Sequence, residues 1–150
     1  MMAQHLVRLT YYSAVPETLS KRDLRAILAA AQENNRRLGI TGGLGFNRRR
    51  FIQTLEGERA AVTALVTKIF ADPRHHDPVI VACHAIDERA FPDWSMMWLG
   101  EELFTDQLMR KYSADPRRTI DDLDDDQIER FVLDLGRELV RRRRDEVVEL

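Results

Sequence analysis

A single cysteine, Cys83, stands in the 150 residues. No internal disulfide can form, and no thiol pair is available for a metal, which fits a reducing cytoplasm. No apolar run approaches the ~18 residues that a membrane span requires. The first residues, from Met1 to Val15, carry His, Arg and two Tyr in place of a long apolar segment. These absences predict a cytoplasmic protein with no membrane partner. Net charge is scarce as well: 23 Lys+Arg oppose 25 Asp+Glu, a formal charge of -2. No chain-wide basic field recruits nucleic acid. Internal repeats and low-complexity tracts are missing. With 44% hydrophobic and 32% charged residues, the chain reads as soluble and globular. Its length suits one domain with a core plus an appendage, and is too short for two ordinary domains.

The pattern of apolar residues predicts the elements. Leu6 to Tyr12 is short, β-branched and aromatic, and reads as a strand with Leu9 and Tyr11 on one face and Thr10 and Tyr12 on the other. Ser20 and Asp23 form a variant capping box before Leu24, Ile27, Leu28 and Ala31, predicting a helix from about Ser20 to Arg37 that stops near Gly39. Ile40 to Phe46 and Phe51 to Leu55 read as strands of a hairpin across Asn47 to Arg50, a turn without the usual Gly. Gly57 releases a second helix carrying Val62, Leu65, Val66 and Ile69, which ends at Asp72-Pro73. Pro78 to Ile86 supplies a strand, and Met96 to Leu99 a last one. The order β-α-β-β-α-β-β predicts an α+β, ferredoxin-like sheet with two helices on one face. The predicted division is a domain over 1–100 and a carboxy-terminal helical extension over 101–150. In the extension a polar linker (Ser113 to Arg118) and an Asp-rich run precede a stripe of Ile128, Phe131, Val132, Leu135 and Leu139. That stripe needs a surface: the sheet face opposite the two helices, beside Trp94 and Met96, or the same helix of a second subunit.

One set of residues exceeds what a core requires. Asn34 and Asn35 lie near a helix end, Gln53 lies inside a strand, and Phe91-Pro92-Asp93-Trp94-Ser95-Met96 follows later. An amide carries both a donor and an acceptor, so rotating Gln53 or shifting its tautomer exchanges what it offers its neighbours. Unaided, Gln53 reads as a polar residue on an exposed strand face. Tyr11 and Tyr12 read as half-buried strand aromatics, Asn34 and Asn35 as ordinary helix-end residues, and Ile27, Ala31, Trp94 and Met96 as core. Arg74-His75-His76 reads as a solvated loop, since two adjacent His without a third ligand make a weak metal signal.

Taken together, Tyr11, Asn35, Gln53 and Trp94-Ser95-Met96, in that order between Leu6 and Met97, resemble a BLUF domain, the flavin-binding blue-light sensor. The resemblance implies the same ferredoxin-like fold. It also implies a flavin held without a covalent bond (FAD first, with FMN or riboflavin as alternatives) and a photoreceptor that performs no chemical turnover. In the family, light drives electron and proton transfer from a tyrosine to the flavin, and a glutamine rearranges. Tyr11, Gln53, Trp94 and Met96 are then the photoactive residues. Asn34, Asn35, Gln53, Ser13, Ile27, Ala31, Arg74 and His75 surround the cofactor, with Asn35 on the ring edge and Arg74-His75 toward the ribityl or phosphate end. The implied partner is a separate signalling protein or a homo-oligomer. Gly43, Gly45 and the Arg-rich turn depart from the family pattern. Two other readings share the fold. An acylphosphatase-like enzyme would need an anion-binding loop with Arg, which Ser13 to Thr18 lacks. An RNA-recognition module would need exposed sheet aromatics, for which only Phe46 and Phe51 are available.

Overall fold

The computed structural model describes residues 5–14, 16, 18–46, 50–74, 76–92, 96–99 and 123–148. The elements run β1 (Leu6–Ala14), α1 (Lys21–Leu38), β2 (Thr41–Phe46), β3 (Arg50–Glu58), α2 (Arg59–Ala71), β4 (His76–Ala85), β5 (Met97–Leu99) and α3 (Asp125–Val148). The sheet order is β4-β1-β3-β2-β5. Neighbours are antiparallel except β2 and β5, which are parallel. This is the ferredoxin-like arrangement expected, with the fifth strand at the β2 edge.

Local chemistry sets the boundaries. Ser20 caps α1: its Oγ accepts from the Asp23 N–H, and the Asp23 carboxylate accepts from the Ser20 N–H, each at 3.1 Å. At the other end Gly39 adopts φ 69°, a left-handed turn that lets the Ile40 N–H reach the Asn35 carbonyl at 2.9 Å. β3 extends past the predicted Leu55 to Glu58, because β1 continues to pair with it as far as Leu6 opposite Glu58. Gly57 therefore lies in the strand, and Glu58 occupies the position before α2. α2 stops at Ala71, ahead of Asp72 and Pro73. The turn at 47–49 and the linker lie outside the described residues.

Strand alternation creates two cores. Val7, Leu9, Tyr11, Phe51 and Leu55 face α1 and α2, where Ile27, Leu28, Ala31, Val62 and Val66 meet them. Ile52 and Val81 face the other way, against Ile128, Phe131, Val132 and Leu135 of α3. α3 begins with its own reciprocal cap between Asp124 and Gln127. Its apolar stripe covers the sheet face opposite α1 and α2, the first of the two expected surfaces. One part of that expectation is corrected. Met96 does not lie beside α3; it is buried in the α1/α2 core, because the chain has crossed to that side by residue 96. Phe91, earlier in the same segment, is the residue that packs on α3. Trp94 lies outside the described residues.

Candidate functional site

The middle of β1 and β3 brings the site together. Tyr11 pairs with Gln53 across the ladder, and both side chains turn toward α1 and α2. The Tyr11 hydroxyl donates to Gln53 Oε1. Gln53 Nε2 in turn donates to Met96 Sδ at 3.7 Å, so a polar chain runs from phenol through amide to thioether. All three residues are buried. Desolvation pushes the Tyr11 phenol above its ordinary ionisation range, and it holds its proton at neutral pH. Phe70 of α2 supports the ring edge-on, with centroids 5.1 Å apart and planes at 77°.

Tyr12 points the other way. It packs beside the α3 core, with the Arg50 guanidinium 5.1 Å from its ring centroid. The alternation that separates the two tyrosines also places Ser13 on the Tyr11 side, fully buried and opposite Phe51. From α1, Asn35 is buried at 1% exposure although it stands near a helix end, whereas Asn34 is exposed and accepts from Arg37 at 3.0 Å. Ile27 and Ala31 line the α1 side of the same core. Arg74 sits in the exposed turn after α2, its guanidinium paired with Asp72 at 2.6 Å. His75 lies outside the described residues.

Two participants were not singled out from the sequence. Gln32, one helical turn before Asn35, donates from Nε2 to the Met96 carbonyl at 3.2 Å and fixes the backbone beside Gln53. Glu56 is fully buried on the α3 side of β3. Its signal was a charged residue continuing the apolar run from Phe51 to Leu55.

Residues 6–97, well over half of the chain, match the family described as sensors of blue-light using FAD. The chain belongs to the BLUF family. A photoactivated adenylate cyclase subunit beta from Euglena longa is 42% identical over 99 residues, 65% of this chain. The chain spans only 12% of that relative's length. Among solved structures, the dark state of BlrB, a BLUF protein, is 34% identical with a TM-score of 0.72, covering 89% of this chain and 96% of that one. The photo-activated state of BlsA is 30% identical with a TM-score of 0.76, covering 87% and 94%.

The BLUF cofactor is a flavin, and the residues present fit one. An amide carries two N–H groups, and among the described residues Gln53 Nε2 meets only the Met96 sulfur, a weak and distant acceptor. It retains donor capacity for the polar edge of a ring. Asn35, a second amide residue, is buried on the neighbouring helix α1. The Tyr11 phenol touches the far side of Gln53, where it can exchange a proton with the amide oxygen.

Proposed function

We propose that this chain is a blue-light photoreceptor that binds a flavin, FAD in the first instance, between the sheet and helices α1 and α2. The observation that carries this reading is the buried chain from the Tyr11 hydroxyl through Gln53 to Met96 Sδ. Asn35 and Gln53 bind and orient the ring edge; Ser13, Ile27 and Ala31 contribute surrounding contacts. Asn34, Arg74 and His75 serve the periphery of the cofactor, where Arg74 offers a cation to an anionic group. The flavin supplies absorption of blue light and an acceptor for one electron.

The protein's part follows from the bonding. Tyr11 gives up an electron and its phenolic proton, and the proton's first available acceptor is Gln53 Oε1. An amide protonated or rotated there changes what Gln53 presents to Met96, whose thioether accepts but cannot donate. Trp94 belongs to the same signal path. No substrate is turned over; the output is an altered surface. Residues 1–100 form the sensor and 101–150 the interaction element. The stripe of α3 covers the sheet face opposite the flavin site and reads the change there for a separate partner protein or for a second copy of this chain. Phe51, one of the aromatics an RNA-binding sheet would expose, is fully buried toward α1 and α2, which weighs against that reading.

Absorption spectroscopy of the purified chain tests the proposal. The expected result is a flavin spectrum that moves slightly to the red under blue light and returns in the dark. A chain that binds neither FAD, FMN nor riboflavin overturns it.

A further inference from the structure

A second polar group lies behind the photoactive one, on the same strand and the opposite sheet face. Glu56 is fully buried, and its carboxylate gathers donors from two directions. The Phe91 N–H donates to Oε1 at 2.7 Å and the Ala90 N–H to Oε2 at 2.9 Å. Arg8 Nε donates to Oε2 at 2.9 Å, and a second Arg8 nitrogen lies 2.9 Å from the same oxygen. The Glu56 backbone takes part as well: its carbonyl accepts from Arg89 at 3.1 Å, and Arg89 also donates to Thr41 Oγ1 and to the Gly39 carbonyl. The segment after β4 is thus clamped at three successive residues by β3, β2 and the end of α1.

What lies on either side of the clamp gives it meaning. Just at the clamp, the Phe91 ring enters the α3 core and rests on Gly136, where an added Cβ would stand 2.3 Å from Phe91 Cε1. Further along, the same segment places Met96 against Gln53 on the opposite sheet face. Arg8 extends the network toward α3, with Glu129 at 3.7 Å, and Glu129 meets His84 at 2.8 Å.

We propose that Glu56 is a positioning residue of the photocycle: it anchors the 89–92 segment so that Met96 is presented to Gln53, and it ties that segment to α3. The proposal rests on the sensor reading above. Chemically, the anchor needs a carboxylate. A glutamine has one oxygen and one NH2 group, so in either orientation its NH2 faces the Phe91 N–H or the Ala90 N–H and Arg8. At least one donor is left without an acceptor in a site closed to water. A loosened segment returns Met96 to Gln53 less readily, because the dark packing is no longer organised in advance.

The experiment compares flavin-loaded full chains by their thermal return from the red-shifted state, followed at the flavin absorption. Glu56→Gln should keep its flavin and its red shift yet recover more slowly by about tenfold, the ratio that ~1.4 kcal/mol makes in a rate. Gly136→Ala, which leaves the carboxylate intact and displaces the Phe91 ring, should slow recovery in the same direction; it carries the test alone if Glu56→Gln fails to fold. Ser20→Ala, which removes the exposed cap at the start of α1, lowers the melting temperature without touching the clamp or the flavin site and should recover at the wild-type rate. Wild-type or faster recovery in Glu56→Gln and Gly136→Ala overturns the proposal, as does equal slowing in Ser20→Ala. A wild-type chain without any red shift instead overturns the sensor reading itself.

Discussion

Tyr11→Phe separates the hydrogen bond at the centre of the site from the ring that carries it. The substitution keeps the aromatic body and its edge-on contact with Phe70 at 5.1 Å. It removes the hydroxyl that donates to Gln53 Oε1. Both residues are buried, so the amide oxygen loses its partner where water does not replace it. An unsatisfied buried polar group costs about 1–3 kcal/mol. At about 2–4 °C per kcal/mol for a chain of this size, the flavin-loaded protein should melt roughly 2–12 °C lower. The red shift should vanish while flavin remains bound, since the transferable proton is gone and the ring is not. The matching control is Tyr12→Phe. Tyr12 lies on the α3 side of the sheet beside Arg50, so this variant should keep the red shift. Differential scanning fluorimetry and absorption spectra before and after blue light measure both effects. The reasoning is refuted if Tyr11→Phe melts and switches like the wild type, or if Tyr12→Phe is the variant that goes dark, since a slip of one residue exchanges the two faces.

Alkaline stability should carry the same signature. Burial raises the folded-state ionisation of Tyr11 above its ordinary value of 10.0, so its contribution is complete below about pH 10 and is lost as pH climbs through the folded value; the wild type should lose more stability above pH 10 than Tyr11→Phe in parallel melts. Gln53→Leu should retain flavin and lose the red shift, because the apolar side chain offers neither donor nor acceptor; an unchanged difference spectrum would count against the glutamine as the switch. Phe131→Ala, at a fully buried position of α3, should cost about 3–5 kcal/mol in denaturant unfolding, and a loss below about 1 kcal/mol would mean that α3 does not stay on the sheet in solution. Truncation after Ser113 should leave the red shift in place and abolish light-dependent partner binding or change in oligomer size on size-exclusion chromatography. A truncated chain that still switches its assembly would make α3 a cover only.

Much of the architecture was legible in the order of residues because it depends on neighbours in sequence. The Ser20–Asp23 cap, the stop at Gly39, the break at Asp72-Pro73 and the apolar stripe of α3 are local matters of hydrogen bonding and periodicity. Period-two alternation alone put Tyr11 and Tyr12 on opposite faces, and the resemblance between Leu6 and Met97 selected Tyr11, Asn35 and Gln53 from many polar and aromatic residues. The rest was settled by contacts between distant segments. No local rule says that Gln53 will be buried: read unaided it belonged on an exposed strand face, and only α1, α2 and Met96 closing over β3 bury it. The same holds for Glu56, whose donors come from residues 8, 90 and 91. Phe91 and Met96 are close in sequence, and a linear reading put Met96 on the α3 side. Phe91 nevertheless packs on α3 and Met96 in the α1/α2 core, a division that only the docked helices decide.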